Sequence, residues 1–407
     1  MDYSRGRLDG GNQSLIMKIN SKQQDEILAF AKQLIRTPGN SGDEEQTALL
    51  IEEKMKTLGY DQVHVDSYGS VIGIIEGSHP GPTFLFDGHM DVVPIHEPDL
   101  WHCEPYGGEV IDGKLMGRGS SDMKGPLAAM IMAASFVDRY ALAGRIIVSA
   151  SVTEEMMPGR ALEKILDAYP ADAVLVGEPT KLQVGYIEKG RCTIGMTVTG
   201  QVSHSSRPEL GKNAIYIANN AIDRIRNIPT RSDPLLGNEI IELVEIRSQP
   251  SPGNGSVPNY CWGLWECRIL PGESEQTLLD RFINSQKGSE WEQRIQFQIE
   301  TIDVTCYTGK PLMGKDFLPA WEGNRDSGLY KQLKAAIEKS GLPLQYWPVS
   351  YGCNALASCG LKELPTVIFG PGDVALAHKP DEYIEIRDLW KATEIYMHVM
   401  ELNGKHT

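Results

Sequence analysis

Five short segments of this chain carry acidic or histidine side chains that can hold metal ions. In chain order they are Gly88-His89-Met90-Asp91, Gly119-Ser120-Ser121-Asp122, Thr153-Glu154-Glu155, Gly177-Glu178-Pro179 and Ala377-His378. Imidazole and carboxylate ligands together suit zinc, cobalt or manganese. Two such ions that share an oxygen ligand lie ~3.5–4 Å apart and can activate water for hydrolysis. The joint order of the segments therefore predicts a two-metal hydrolase.

The first two segments predict a terminal and a bridging ligand. His89 follows an apolar run, and Asp91 is placed to accept a hydrogen bond from its second ring nitrogen, which would orient the ring. A lone histidine at such a position is more often a loop residue. Asp122 stands between a glycine-rich turn and a helical segment, where it could simply cap the helix. Because one carboxylate has two oxygens, we prefer the bridging role for Asp122.

The remaining segments add three carboxylates and a second imidazole. Glu154 and Glu155 end a predicted strand, and adjacent carboxylates repel one another when they are buried without a cation. The pair is therefore either an exposed acidic turn or part of a metal site, in which one glutamate ligates and the other acts as general base. Glu178 also follows a predicted strand directly, and His378 would close the second metal site.

The apolar pattern indicates how these segments come together. Strands are predicted at 71–75, 83–86, 146–152, 173–176 and 366–369, and helices at 27–35, 49–58, 127–137 and 326–340. Strands that alternate with helices indicate an α/β fold with a mostly parallel, doubly wound sheet. Such sheets bind ligands at the carboxyl ends of their strands, which is where the acidic segments lie.

From residue 190 the pattern changes to that of a second domain. Alternating strands at 193–198, 240–248, 260–269 and 293–305, with a helix at 213–228, predict an antiparallel sheet covered by helices on one face. We therefore expect a catalytic domain in two segments, 1–189 and 308–407. An inserted α+β lid and dimerisation domain occupies 190–307. Residues 1–14 are polar and glycine-rich and are expected to form a disordered leader.

Composition excludes several classes of partner. The net charge of −15 argues against nucleic acid and against an acidic membrane surface. No apolar run approaches the ~20 residues of a membrane helix, and no signal peptide is recognisable. The seven cysteines form no Cys-x-x-Cys pair, which argues against a disulfide framework and a thiolate zinc site. A cytoplasmic location is the expectation.

The motifs resemble those of the dinuclear-metal M20 family of peptidases and aminoacylases. This family includes acetylornithine deacetylase, succinyl-diaminopimelate desuccinylase, aminoacylase-1 and glutamate carboxypeptidase. The resemblance extends over residues 22–402 and is carried by GHMDVVP (88–94), GRGSSDMKG (117–125), TEE (153–155), GEPT (177–180) and FGPG (369–372).

The resemblance implies a role for each metal-site residue. His89, Asp122 and Glu178 would hold one metal ion, most commonly zinc, and Asp122, Glu155 and His378 the other. Glu154 would be the general base that takes a proton from the water bridging the two ions, with Asp91 behind His89. Some members of the family have a cis peptide after the bridging aspartate.

The inserted domain carries two further resemblances. GQVSHSSRP (200–208) is similar to the family's lid motif, in which the histidine, here His204, stabilises the carbonyl oxyanion, often from the partner subunit. This implies a homodimer built through the inserted domain. Arg268 matches a family arginine that binds a substrate carboxylate. Taken alone, His204 would be a surface residue and Arg268 part of a surface ion pair.

Two departures from the family pattern affect substrate specificity. Many members have an asparagine immediately before this valine, whereas here Ser256 precedes Val257-Pro258 and the nearest preceding asparagine is Asn254. Gly352-Cys353-Asn354 replaces the Gly-Thr-Asp of the deacetylases, so a neutral amide stands where an acid is expected near the substrate. We list both asparagines as candidate substrate-binding residues. The second departure resembles the branch of hydrolases associated with selenium metabolism.

The predicted function is metal-dependent hydrolysis of an amide bond in a small substrate that carries a carboxylate. An N-acyl amino acid is the first choice, and a carbamoyl amino acid or a small peptide is the alternative. The alternative that is not an enzyme is a metal-dependent binding protein without catalysis. The retained glutamates argue against it, because a protein that has lost catalysis usually loses its base. A serine or cysteine hydrolase is disfavoured, since no Gly-x-Ser-x-Gly elbow is present.

Overall fold

A computed structural model describes residues 18–402, so the leader predicted at 1–14 lies outside the described residues. Within 18–402 no helix is both long enough and apolar enough to cross a membrane. The α-helices of this part of the chain are α1 (Ser21–Arg36), α2 (Glu45–Thr57), α3 (Lys124–Phe136), α4 (Arg160–Ala168), α5 (Ala214–Ile225), α6 (Glu275–Gln286), α7 (Gly328–Lys339) and α8 (Ile386–Glu401).

The described strands fall into a central sheet, a second sheet and short pairs. Those of the first half are β1 (Gln62–Val65), β2 (Val71–Glu76), β3 (His79–His89), β4 (Val110–Ile111), β5 (Lys114–Met116), β6 (Ala143–Ser151), β7 (Ala173–Val176), β8 (Ile187–Glu188) and β9 (Gly190–Thr199). Those of the second half are β10 (Ser232–Asp233), β11 (Gly237–Asn238), β12 (Ile240–Gln249), β13 (Tyr260–Ile269), β14 (Ile295–Ile299), β15 (Thr301–Thr305), β16 (Pro311–Lys315), β17 (Phe317–Leu318), β18 (Trp321–Glu322), β19 (Thr366–Ile368) and β20 (Tyr383–Glu385).

The central sheet has the order β1-β2-β6-β3-β7-β19 and confirms the predicted α/β class. Strands β6, β3, β7 and β19 run parallel, whereas β1 and β2 pair antiparallel at one edge. The antiparallel edge was not predicted. It follows from a short turn in which the carboxylate of Asp66 accepts the backbone N–H groups of Tyr68, Gly69 and Ser70, because so short a connection permits only antiparallel pairing.

Helices cover both faces of this sheet, as predicted for a doubly wound fold. Phe84 and Phe86 of β3 point into the core formed with α1, α2, α3, α7 and α8, while Leu85 points to the opposite core with α4. Successive side chains of β3 therefore pack alternately into the apolar cores on the two faces of the sheet. The four parallel strands end at the same edge, so the segments that follow β3, β6, β7 and β19 converge there.

The second sheet, β12-β13-β9-β14, is antiparallel and has α5 and α6 on one face, as predicted. The single strand expected at 293–305 is instead two strands. β14 pairs with β9, but β15 pairs with β16, and Val304 and Leu312 of that hairpin pack into the core of the central sheet. β17 then returns to pair with β9. The domain division at 190–307 stays a prediction.

Candidate metal centre

Three of the predicted ligands form a compact cluster at the carboxyl edge of the central sheet. One ligand atom from each of His89, Asp122 and Glu155 lies within 4.8 Å of the others. Nε2 of His89 is 3.1 Å from one oxygen of Asp122, and Nε2 of His378 is 3.5 Å from the other oxygen. The carboxylate of Asp122 thus lies between two imidazoles, the position that a bridging ligand requires.

The remaining predicted residues surround this cluster. His378 lies 3.0 Å from Glu155 Oε2, and His89 Nε2 lies 3.8 Å from Glu154 and 4.0 Å from Glu178. His378 is half-exposed, whereas the carboxylates are largely buried. All six side chains that the sequence singled out for metal binding and base catalysis are therefore brought together.

Asp91 contacts the cluster mainly through the backbone N–H groups of Glu154 and Glu155, and less through the ring of His89. Its carboxylate accepts the backbone N–H groups of Glu154 and Glu155, each at 3.1 Å, and the Ser41 hydroxyl at 2.6 Å. Nδ1 of His89 lies 2.9 Å from the backbone carbonyl of Asp91 and 3.4 Å from its carboxylate. The predicted carboxylate–imidazole contact is thus the longer of the two, and the backbone carbonyl of Asp91 is the nearer acceptor for the ring.

A second buried carboxylate, not anticipated from the sequence, holds Asp122. Glu382 accepts the backbone N–H groups of Ser121 and Asp122 on one oxygen and pairs with Arg118 at 2.6 Å on the other. The peptide bond between Asp122 and Met123 is cis. Glu382 lies some 260 positions away in the chain, so no local pattern could have linked it to Asp122.

A third carboxylate supports the glutamate pair. Thr153, directly before Glu154, has a φ of 55°, a left-handed conformation that is costly for a residue other than glycine. Its backbone N–H donates to the buried carboxylate of Glu44 at 3.0 Å. Burial, and next the nearby Asp91 carboxylate, raise the pKa of Glu44 to about 7. The turn that orients Glu154 and Glu155 is therefore held in place by the Glu44 carboxylate.

The donor set fits divalent metal ions. Two buried carboxylate oxygens, Oε1 of Glu155 and Oε1 of Glu178, have no hydrogen-bond partner among the described residues. Burial raises the pKa of Glu178 and of Glu154 well above the usual range, and neighbouring carboxylates add to the effect. Carboxylates packed this closely are costly unless a cation compensates them. Two imidazoles and three carboxylate ligands suit zinc, cobalt or manganese.

The cluster lines a cavity of about 340 Å³, and residues of the second sheet form part of its walls. Besides the cluster, its walls include Arg191, Arg268 and Tyr351. Arg268, predicted to bind a carboxylate, lies on β13 directly opposite Arg191 on β9. Arg191 was missed because its isolated position in an alternating strand carries no motif.

Each arginine of the cavity keeps part of its hydrogen-bonding capacity. Arg268 donates to Glu266 at 2.6 Å, and Nε of Arg191 lies 3.4 Å from Asp316. Nη1 of Arg268 and Nε of Arg191 are buried and have no hydrogen-bond partner among residues 18–402. Each of these cavity-lining arginines therefore retains a nitrogen without a hydrogen-bond partner among the described residues.

The three other candidates lie away from the cavity walls. His204 is exposed in the loop that follows β9, where Nδ1 contacts the Ser206 hydroxyl at 2.7 Å. Asn254 is exposed in a neighbouring loop.

Asn354 does not fit the predicted contact with substrate. It is buried, and its amide accepts from the Gly159 backbone N–H and donates to Asp87 and Ser151. Since both ends of the amide are bonded within the protein, Asn354 is a structural residue beneath the site.

Comparison with known proteins shows the family of the chain. The profile of Peptidase family M20/M25/M40 matches residues 85–402, and the chain belongs to that family. It is 28% identical to the Escherichia coli K12 protein YgeY, over 90% of this chain and 92% of that protein.

Solved structures of low identity share the fold. Aminopeptidase PepT from Bacillus cereus has a TM-score of 0.72 at 18% identity and covers 93% of this chain and 98% of its own. YXEP of Bacillus subtilis, described as a dinuclear metal binding peptidase of the M20 family, has a TM-score of 0.72 at 14% identity, with 95% and 100% covered. The family consists of hydrolases, and the prediction of the M20 family is confirmed.

Replacement of Gly370 by alanine should displace Glu178 from the cluster. A Cβ at Gly370 would contact the backbone carbonyl oxygens of Gly177 and, at 2.5 Å, of Glu178, and backbone atoms cannot move aside cheaply. We expect Gly370→Ala to bind fewer metal ions per chain when measured by inductively coupled plasma mass spectrometry. Gly328→Ala is the matched control, because nothing lies within 4 Å of the added methyl group. Equal metal content in both variants would contradict this interpretation.

Proposed function

We infer that the protein is a metal-dependent hydrolase that cleaves the amide bond of a small substrate carrying a carboxylate, with an N-acyl amino acid as the leading class. One observation carries the proposal. A buried carboxylate outside the inferred ligand set, Glu154, lies beside the cluster in the same cavity as two arginines. A base, a set of metal ligands and an anion-binding group are what such a reaction requires.

The ligand roles follow the arrangement of the cluster. We assign His89, Asp122 and Glu178 to one metal ion and Asp122, Glu155 and His378 to the other, with zinc preferred and cobalt or manganese as alternatives. When bound, the two ions polarise the carbonyl group and lower the pKa of water in the site. The unpartnered oxygens of Glu155 and Glu178 support this assignment.

Glu154 then performs the proton transfers. Its backbone is fixed by Asp91, and its side chain faces the cavity without a ligand role. It takes the proton of the attacking water and later delivers it to the leaving nitrogen as the C–N bond breaks. General acid–base catalysis of this kind contributes about 10²–10⁴ to the rate.

The arginine pair supports recognition of a carboxylate. Like charges directly opposite each other in a sheet destabilise it, and an anion between them removes that cost. Guanidinium groups bind carboxylates in a bidentate manner, so the unused donors of Arg191 and Arg268 suit this role. We therefore add Arg191 to the predicted anchor, Arg268.

A homodimer is the proposed assembly, in which His204 of the partner subunit reaches the cavity and assists the carbonyl oxygen. His204 is exposed on the second domain of its own chain. The outer strand of the second sheet, β12, exposes about half of Ile240, Val244 and Ile246, an apolar edge that a second copy could cover.

The direct test measures amine and ammonia release from N-acetyl, N-formyl, N-succinyl and N-carbamoyl amino acids and dipeptides by zinc-, cobalt- or manganese-loaded protein. Metal-dependent release from one class would support the proposal and identify the bond. Two bound ions per chain with no turnover of any substrate would favour the metal-dependent binding protein instead.

Glu154→Gln should slow turnover strongly without releasing the metals. The amide cannot accept a proton, so we expect kcat to fall by about 10²–10⁴ while metal content stays unchanged. Glu290→Gln, at an exposed position, controls for the loss of one negative charge. Near-normal turnover by Glu154→Gln would refute the assigned base.

Arg191→Gln and Arg268→Gln should each raise KM by about 10–100-fold, since each removes a charge-assisted hydrogen bond to the substrate carboxylate. Arg247→Gln, on the same sheet and largely exposed, should leave KM unchanged. The measurement is steady-state kinetics on the best substrate of the panel. An unchanged KM in both cavity variants would exclude the arginine pair as the anchor.

A further inference from the structure

A buried hydroxyl group in the wall of the metal cavity has no hydrogen-bond partner in the part of the chain that the structure describes. The ring of Tyr351 forms part of the cavity wall, and its hydroxyl oxygen is buried and unpartnered among residues 18–402. Burial raises the pKa of Tyr351 well above its usual range, and Glu178 is the next largest cause. A buried polar group without a partner costs free energy and therefore requires an explanation in a native structure.

The loop that carries Tyr351 is fixed on its far side. The backbone N–H of Cys353 donates to the buried carboxylate of Glu188 at 2.7 Å. Asn354 is bonded to Gly159, Asp87 and Ser151, as described above. These contacts anchor the part of the loop that directly follows Tyr351. They also account for Asn354, which positions this loop.

Tyr351 is also a donor that the other assignments leave unused. The cluster offers carboxylate oxygens, which accept, and His378 is engaged by Asp122 and Glu155. The arginines are assigned to the substrate carboxylate, and His204 is exposed elsewhere on its own chain. Tyr351 lines the same cavity as Asp122, Glu155 and Glu178, so it belongs to the wall around the cluster.

We propose that the hydroxyl of Tyr351 donates a hydrogen bond to the carbonyl oxygen of the scissile amide as that oxygen becomes an oxyanion. This inference rests on the proposed function. When the water oxygen bonds to the carbonyl carbon, the π electron pair moves onto the carbonyl oxygen, and the Tyr351 proton stays on the phenol. Collapse re-forms the C=O bond and expels the nitrogen, which takes its proton from Glu154. Tyr351 thus supplies from within the chain the kind of donor proposed for His204 of the partner subunit.

The test is Tyr351→Phe, which removes the hydroxyl and keeps the ring. Loss of one oxyanion donor costs about 10²–10³ in kcat, so we expect a fall of that order with KM within a few-fold and two metals retained. Tyr346→Phe is the matched control, because the Tyr346 hydroxyl bonds to Tyr330 and lies outside the walls of the metal cavity. An unchanged kcat would overturn the inference, as would a raised KM with normal kcat, which would indicate substrate binding instead.

A binding measurement separates this inference from the proposed function. Butane-1-boronic acid adopts a tetrahedral anionic form, and its affinity for zinc-loaded protein can be measured by calorimetry without any turnover. Weaker binding by Tyr351→Phe than by Tyr346→Phe, about tenfold or more, would support the donor role even if no amide in the panel is hydrolysed. Equal binding would overturn it, whereas an inactive panel alone would count only against the proposed function.

Discussion

Repulsion among buried carboxylates is the constraint on which the rest of this structure depends. Asp122, Glu154, Glu155 and Glu178 meet at one edge of the central sheet, where burial raises the pKa of the three glutamates. Such an arrangement is stable only with compensating positive charge. Two imidazoles supply part of it, and divalent cations are the chemically suitable source of the rest. The ends of the parallel strands β6 and β7 place the three glutamates side by side, and the turn before α3 brings Asp122 to them.

A deeper set of acids keeps the cluster in place against that repulsion. Asp91, Glu44 and Glu382 are buried, and each accepts backbone N–H groups of residues in or next to the cluster. Hydrogen bonds to a carboxylate stabilise its charged form, so the backbone and the acids fix one another. The side chains of the cluster are therefore positioned before any ligand binds, which is what catalysis at a metal site requires.

The sequence predicted the cluster well because its signals are local. His89 is the last residue of β3 and Glu178 lies two residues after β7, and parallel strands have a shared carboxyl edge. Arg191, Glu382 and Tyr351 were missed, since their roles depend on partners far away in the chain that only tertiary structure brings close. Asn354 was misassigned for the same reason, because the motif gives its neighbourhood but not the direction of its amide.

The most direct test of the account is the number and position of metal ions in the protein. Anomalous diffraction from crystals of zinc-loaded protein should show two peaks per chain, ~3.5–4 Å apart, with the Asp122 carboxylate between them and Glu154 bound to neither. A single peak, or peaks that leave Asp122 or Glu178 without a metal contact, would contradict the dinuclear centre on which the proposed chemistry rests.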